Sequence, residues 1–180
     1  DARAKMHLIE VNVSPSLMAN SPLDKLVGFA PIFQLQSLPF LTPGHREAKV
    51  LYEVARLHYE AAFRDVGQTL LYASPWTPIG IWAKLNLEHP AQLVGLKIRT
   101  FDRNGASTFK RAAAAPVQLA WSDVVPALST NLIEAVLTSD ESGVAGKFWE
   151  HMGYFHDLGY GVGVSVVHMN SRVLDGLPAD

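Results

Sequence analysis

Apolar runs with the length of strands alternate along the chain with stretches whose apolar residues recur at helical spacing. This alternation predicts an α/β fold. The strand-like runs span residues 6–13, 69–73, 95–101, 117–121, 132–137 and 162–168. The helical patterns span 45–66, 105–115, 122–130 and 142–152, and a further helix is predicted to begin at 175.

The longest helical pattern spans residues 45–66, and four apolar residues form one stripe along it. These residues are Val50, Val54, Leu57 and Ala61. Because the stripe repeats with the period of a helix, we expect it to face the protein core. Thr42 and Pro43 are typical of a helix start, with a hydroxyl cap followed by proline, and Gly67 is typical of a helix end.

Composition narrows the class of protein. The 180 residues are 48% hydrophobic, which suits one globular domain or two small lobes that share a hinge. The formal net charge is -2 and the basic residues form no stripe, which argues against a nucleic-acid partner. The chain has no cysteine, which excludes disulfides, thiolate catalysis and iron–sulfur clusters. No apolar run reaches the ~20 residues that a membrane span requires.

Both ends of the sequence differ from those of a complete gene product. Residues 1–5 lack an initiator methionine and do not resemble a signal peptide. Residues 177–180 resemble the first turn of a helix. We therefore expect a processed chain or, more specifically, a fragment of a longer protein.

Several patterns that could carry chemistry favour structural interpretations. The histidines lack the spacing of a metal site, and His151 and His156 are five residues apart, a spacing that places them on different faces of a helix. The glycines in 159–163 resemble half of a dinucleotide-binding fingerprint, but they precede a strand instead of following one. Asp140 and Glu141 are adjacent in a loop, where two acids seldom converge as an acid–base pair.

The tryptophans suggest two different roles. Trp82, Trp121 and Trp149 lie within apolar patterns, and we expect them in the core. Trp76 lies between two prolines directly after a predicted strand. There it could line a ligand cleft, or it could fill an interface between two lobes.

Arg99 is the strongest candidate for a binding residue. It lies near the carboxyl end of the predicted strand at 95–101, where open α/β sheets bind ligands. Its planar guanidinium suits a carboxylate, because two parallel N–H donors can bind the two oxygens. The alternative is an ion pair on the surface with Asp102 or Asp123, and the residues alone leave both possibilities open.

Residues 93–99 read LVGLKIR, which resembles the L-x-G-L-K-I-R signature of the solute-binding proteins of tripartite ATP-independent periplasmic (TRAP) transporters. The family motifs that follow in order are AAPVQL at 114–119, WSDV at 121–124, ALSTN at 127–131 and KFWE at 147–150. Upstream, LPFL at 38–41 resembles the L-P-F segment of the family. The ordered series covers most of the chain and is more specific than any single motif.

The resemblance implies a fold in which two α/β lobes, joined by hinge strands and a long helix, close on the ligand. This is the clamshell architecture of periplasmic binding proteins. On that template residues 1–75 belong to the first lobe, 76–157 form the second lobe, and 158–180 return to the first lobe as a hinge strand. The first strand–helix unit and the final helices of the family have no counterpart here, so we expect a clamshell truncated at both termini.

The resemblance also implies a binding site. The signature arginine of the family binds the ligand carboxylate and matches Arg99. A family loop with the pattern G-Q-E-N-P directs an asparagine at the ligand, and Thr138 stands in that position here. A second arginine of some members is missing, since Trp76 and Thr77 occupy its segment, and this favours a ligand with an apolar or aromatic part. Asn12 matches a further position in the cleft.

The implied function is that of an extracytoplasmic solute receptor, which binds a small organic carboxylate and delivers it to the membrane subunits of a TRAP transporter. Such a receptor is periplasmic after removal of a signal peptide, does not insert into the membrane, uses no cofactor or metal, and is not an enzyme. Two other classes stay open. One is a small α/β enzyme that acts on a carboxylate with the acids at 140–141, and the other is a cytoplasmic effector-binding domain.

Overall fold

One mixed sheet runs through the part of the chain that the computed structural model describes, residues 9–12 and 31–178. Its strands are β1 (Ile9–Asn12), β2 (Gln68–Ala83), β3 (Lys97–Thr100), β4 (Ala115–Gln118), β5 (Ala135–Ser139) and β6 (Tyr154–Asn170). Their spatial order is β1-β6-β2-β5-β3-β4. β3 is parallel to β4 and β5, and the other pairs are antiparallel. The α/β class predicted from the sequence is confirmed.

Helices connect the strands and cover the sheet. The α-helices in the described residues are α1 (His45–Arg64), α2 (Arg103–Arg111), α3 (Val124–Ser129), α4 (Asp140–Ala145) and α5 (Ser171–Asp175). The 3-10 helices span Pro31–Ser37, Pro90–Leu93, Trp121–Asp123 and Phe148–Glu150. α2 and α3 form the crossovers that parallel strands require. In residues 31–178, no helix has the length and apolar character needed to cross a membrane.

β2 and β6 are longer than predicted and join two parts of the sheet. The carboxyl-terminal part of β6 pairs with β1 on one side and with the first half of β2 on the other. The amino-terminal part of β6 pairs with the second half of β2. That half of β2 also pairs with β5. The sequence predicts strands only at 69–73 and 162–168, and Pro75 and Pro78 follow the first of them. A register shift between these prolines accommodates them, so that β2 continues through them.

The carboxyl ends of β3, β4 and β5 meet at one edge of the sheet, because these strands run in parallel. Ligand sites in α/β sheets lie at this edge. Arg99 and Thr138 each stand one residue before the end of their strands, β3 and β5. Arg99 is paired with Val136 of β5. Val136 and Thr138 are two residues apart, so their side chains lie on the same face of the sheet as that of Arg99.

Three clusters of buried side chains fix the helices to the sheet. One lies between α1, the 3-10 helix Pro31–Ser37 and the strands β2 and β6. The second lies under α2, and the third lies under α3 and the 3-10 helix Phe148–Glu150. In the first cluster the rings of Phe33 and Tyr59 stack at 5.2 Å, and Phe63 packs edge-on against Phe33 at 5.5 Å.

The buried face of α1 is not the one that the sequence predicts. The buried residues are Ala48, Ala55, Tyr59 and Phe63. The predicted stripe is exposed to solvent. The exposed fraction is 54% for Val50, 74% for Val54 and 75% for Leu57, and Ala61 is exposed as well. Both sets recur at helical spacing. The aromatic set faces the core because each ring buries more apolar surface than a valine does.

The predicted helix ends also need correction. Gly44 caps α1, whereas Thr42 is buried and its Oγ1 accepts a hydrogen bond from the N–H of Val162 at 3.4 Å. The helix predicted over 142–152 ends early, because Lys147 adopts a left-handed φ of 53° that no α-helix contains. The last helix begins at Ser171 instead of at 175.

Two of the three tryptophans expected in the core are exposed. Trp121 is 47% exposed and Trp149 is 54% exposed. Trp82 does pack against the third buried cluster, where its ring meets that of Phe148 edge-on at 6.0 Å. The apolar neighbours of Trp121 and Trp149 in sequence are therefore a poor guide to burial, since both lie in short 3-10 helices at the surface.

A histidine is buried where β6 packs against α1. His168 is fully shielded from solvent, and its ring stacks on Phe63 with the centroids 4.9 Å apart. Its Nδ1 lies 3.1 Å from Oε1 of Gln68, which can only accept, so Nδ1 carries the proton. Nε2 has no hydrogen-bond partner among the described residues. Burial lowers the pKa of His168, because the charged ring would lose its water.

We expect acid to destabilise the protein through His168. Because its pKa is lower in the folded state, the unfolded chain binds more protons as the pH falls below about 6.5, and the free energy of unfolding decreases. H168Q lacks this titration and should therefore lose less stability than wild type between about pH 6.5 and pH 5. Urea denaturation at several pH values measures the difference. H58Q, which changes an exposed histidine of α1, is the control. Parallel pH profiles for H168Q and wild type would contradict the prediction.

Candidate functional site

A cleft of about 350 Å³ opens where β2, β6 and the end of β5 come together. Its lining residues are Ser74, Pro75, Trp76, Ser139, Glu141, Ser142 and Ser165. Ser139 ends β5, so the cleft lies at the edge where α/β sheets bind ligands. The volume falls within the range of about 300–1,000 Å³ that is typical of small-molecule sites.

Trp76 forms one wall of the cleft. Its Nε1 donates a hydrogen bond to Oγ of Ser165 at 2.7 Å. Gly163 lies under the ring, and a Cβ at that position would stand 3.5 Å from Cε3 of Trp76. The bond to Ser165 uses the only polar atom of the indole, so Trp76 presents an apolar ring to the cleft.

The first turn of α4 forms the opposite wall. Ser139 caps this helix, because its Oγ accepts a hydrogen bond from the N–H of Ser142 at 3.1 Å. The same hydroxyl donates to Oγ of Ser142 at 2.9 Å. Gly143 brings the helix close to Trp82, whose indole would overlap any Cβ there. The carboxylate of Glu141 forms no ion pair with a described residue.

Arg99 lies at the same edge of the sheet, on the neighbouring strand β3. Its side chain is almost fully buried, with 6% exposure. Nε and Nη2 donate to the carbonyl oxygen of Leu119 at 3.2 and 3.1 Å, and Cζ lies 5.7 Å from the centre of the Trp121 ring. A carbonyl and an aromatic face thus hold the guanidinium in one orientation. Nη1 donates to none of the described residues.

The positive charge of Arg99 has no carboxylate partner in residues 31–178. The ion pairs there are Lys49–Glu53 and Arg56–Glu60. The alternative of an ion pair with Asp102 or Asp123 is therefore not observed. Burial lowers the pKa of Arg99 to about 10, and the charge of Asp102 opposes this effect only in part. A buried charge without a partner is costly, and a carboxylate from solution would reduce the cost.

Asp102 serves the adjacent helix and leaves Arg99 unpaired. It caps α2, where its Oδ1 accepts a hydrogen bond from the N–H of Gly105 at 2.7 Å. Oδ2 is buried and has no partner in the described part of the chain. Burial raises the pKa of Asp102, while the bond from Gly105, the hydroxyl of Ser37 and the charge of Arg99 counteract this rise.

The other predicted site residues adjoin those that line the cleft. Thr138 is buried and immediately precedes Ser139. Thr77 immediately follows Trp76, and its Oγ1 is buried with no hydrogen-bond partner among the described residues. Asn12 pairs with Ser165 in the register of β1 and β6. The side chain of Asn12 lies outside the described part of the structure.

Sequence reasoning missed several residues of this site. Trp121 was expected in the core, although its place at the end of the predicted strand 117–121 could have linked it to Arg99. Glu141 was considered only as a catalytic acid. Ser142 and Ser165 carry no signal in the sequence, because serine is common in loops and at the surface. No group of metal-ligating side chains forms a candidate metal site in the described residues.

Residues 11–180 match the family described as DctP: Bacterial extracellular solute-binding protein, family 7. No curated protein sequence matches the chain. The solved structures that are similar include DctP7 of Bordetella pertussis, an extracytoplasmic solute receptor binding pyroglutamic acid. It has a TM-score of 0.84 and 30% sequence identity, and the match covers 96% of this chain and 54% of DctP7.

Two further solved structures share the fold. DctP6 of Bordetella pertussis, also a receptor binding pyroglutamic acid, has a TM-score of 0.83 and 24% identity over 95% of this chain and 54% of its own. A TRAP solute-binding protein from a marine metagenome, specific for pyroglutamate, has a TM-score of 0.76 and 26% identity over 84% of this chain and 50% of its own. The chain spans about half the length of these proteins.

These matches confirm the fold that the motifs predict. The sheet with its long strands β2 and β6 corresponds to part of the two-lobed architecture of TRAP solute-binding proteins. The match to the family extends from Val11 in β1 to the last residue, and it includes the LVGLKIR segment that carries Arg99. The chain belongs to family 7 of the bacterial extracellular solute-binding proteins, the family that the ordered motifs indicate.

Proposed function

We propose that the chain is part of a periplasmic receptor that binds a small organic carboxylate and delivers it to the membrane subunits of a TRAP transporter. Membership of the family supports the receptor class. In this proposal Arg99 binds the carboxylate and Trp76 packs against the apolar part of the ligand. Thr77 and Thr138 shape the pocket, and Asn12 contributes from β1.

The observation that carries the proposal is the buried guanidinium of Arg99, which has no carboxylate partner in residues 31–178. The carbonyl of Leu119 and the ring of Trp121 already hold it in place. A carboxylate would supply the missing counter-ion through charge-assisted hydrogen bonds. Because the fork is oriented before the ligand arrives, binding requires little further ordering of the side chain.

We propose further that two lobes close on the ligand. Residues 1–75 would form the first lobe and 76–157 the second, and 158–180 would return to the first. The register shift between Pro75 and Pro78 supports a hinge at this boundary, since strands bend at bulges. Closure would remove water and strengthen the ion pair of Arg99, and only the preference of the ligand for the closed form can drive it.

A thermal-shift screen of the full-length receptor tests whether it binds carboxylates. Pyroglutamate leads the panel, because similar proteins with 30% and 26% identity bind it. Dicarboxylates, keto acids, sugar acids and aromatic acids complete the panel. A ligand at about 100 times its Kd should add about 2.7 kcal/mol to the free energy of unfolding. Stabilisation by one chemical class supports the proposal. A folded receptor that no carboxylate stabilises would rule it out.

Binding without turnover is part of the proposal. The alternative enzyme would use Asp140 and Glu141, which are both exposed in the first turn of α4. Oδ1 of Asp140 accepts a hydrogen bond from the N–H of Glu141 at 2.7 Å, which is a structural role. Recovery of the unchanged ligand after incubation supports a receptor, and a product would support an enzyme. A signal peptide in the gene argues against a cytoplasmic effector domain, whereas an appended helix-turn-helix supports one.

A further inference from the structure

The cleft contains one negatively charged side chain and no positively charged one among its described lining residues. The charged residue is Glu141, which is exposed and forms no ion pair with a described residue. Its carboxylate can only accept hydrogen bonds. The cleft therefore attracts N–H groups and repels a second carboxylate.

The serines around Glu141 strengthen this preference for a polar ligand. Oγ of Ser142 accepts the hydroxyl proton of Ser139, and Oγ of Ser165 accepts the indole proton of Trp76. Neither the Ser142 nor the Ser165 hydroxyl donates to a side chain or carbonyl of the described residues, so both can donate to a ligand. Neutral hydroxyl donors of this kind can bind a carbonyl oxygen, but they do not neutralise a full negative charge.

The cation and the anion of the site lie at the same edge of the sheet. Arg99 is on β3, which is hydrogen-bonded to β5, and Glu141 follows the end of β5 in the first turn of α4. Arg99 does not line the cleft itself, and its guanidinium faces Leu119 just beyond β4, so the ligand must extend from the cleft past the end of β5 to reach it. A small molecule with an acidic end and an N–H end matches this arrangement.

We propose that the receptor selects small carboxylates that also carry an N–H donor, either an ammonium or an amide group, and discriminates against dicarboxylates. The inference rests on the proposed function, because it assigns the ligand carboxylate to Arg99. Glu141 accepts the hydrogen bond of the N–H group, and Trp76 packs against the apolar atoms between the two polar ends.

Three ring compounds of one size test the selection of the N–H group. Pyroglutamate has a neutral ring N–H, proline has a charged ring ammonium, and cyclopentanecarboxylate has neither. Succinate represents the dicarboxylates. Calorimetric titration of the full-length receptor gives the four Kd values. Pyroglutamate or proline should bind at least about tenfold more tightly than cyclopentanecarboxylate and succinate, as expected for one charge-assisted hydrogen bond.

Two matched variants assign the preference to one side chain. E141Q keeps the shape of Glu141 but removes its charge. It should therefore weaken the binding of the preferred N–H compound at least about tenfold relative to that of cyclopentanecarboxylate. It should also reduce the difference in affinity between that N–H compound and succinate. D140N changes the adjacent acid, which does not line the cleft, and should leave the affinity ratios unchanged.

The outcomes separate this inference from the proposed function. Unchanged ratios in E141Q, or a wild-type receptor that binds succinate more tightly than both N–H compounds, would overturn the inference and leave the carboxylate receptor intact. A folded receptor that binds none of the four compounds would count against both proposals.

Discussion

Replacing Arg99 with methionine is expected to abolish carboxylate binding while the ligand-free receptor stays folded and becomes slightly more stable. Loss of a buried, charge-assisted contact costs about 2–5 kcal/mol, so affinity should fall at least about 30-fold. Stability should move in the opposite direction. The burial that lowers the pKa of Arg99 to about 10 makes the charged form costly, on the order of 3 kcal/mol. The lost contacts with Leu119 and Trp121 offset part of this gain, which leaves about 1 kcal/mol.

Two measurements test both halves of this prediction. Calorimetric titration gives the affinity of R99M, and urea denaturation without ligand gives its free energy of unfolding. R111M removes an exposed arginine of α2 and should change neither quantity. A near-normal affinity of R99M would remove Arg99 from the site. A loss of more than about 2 kcal/mol in the ligand-free state would show that Arg99 is structural.

Alanine at Gly80 is expected to destabilise the protein by about 3 kcal/mol, the upper end of the cost of overpacking. Gly80 pairs with Thr138 in the register of β2 and β5. A Cβ at this position would overlap the backbone oxygen of His156 and stand 2.7 Å from Cζ of Phe155. Backbone atoms of β6 cannot move aside without disturbing the sheet, so a rotamer change cannot relieve the contact.

Urea denaturation of G80A measures this cost. G153A is the matched control, because no atom lies within 4 Å of its Cβ position and its φ is not left-handed. We expect G153A to stay within about 0.5 kcal/mol of wild type. A wild-type value for G80A would mean that β6 can shift at this point without loss of packing.

The sequence predicts those parts of the fold that depend on local patterns. The start of α1 at His45 and the strand that contains Arg99 were both expected, because Thr42 and Pro43 are typical of a helix start and an apolar run marks the strand. Periodicity could not decide which face of α1 is buried. Two stripes have the same spacing there, and Tyr59 faces the core because Phe33, from another segment, stacks on it. Contacts between distant segments are not visible in the spacing of residues.

The site shows the same division between local and tertiary information. The position of Arg99 at a strand end could be read from the chain, and the family motif assigned it a ligand. That no carboxylate of the described residues pairs with it could not be read, because Asp102 is committed to Gly105 and the guanidinium is held by a carbonyl from beyond β4. Ser165 joins the cleft only because β6 passes beside Trp76. These facts depend on which strands are neighbours.

The prolines of β2 also determine where the sheet can flex. Two long paired strands such as β2 and β6 resist bending except where their pairing is interrupted. Pro75 and Pro78 have no N–H to donate, and the register between β2 and β6 shifts between them. Pro75 is also part of the cleft wall. This irregular stretch of the two strands therefore coincides with one wall of the cleft, so bending at this point would change the shape of the cleft.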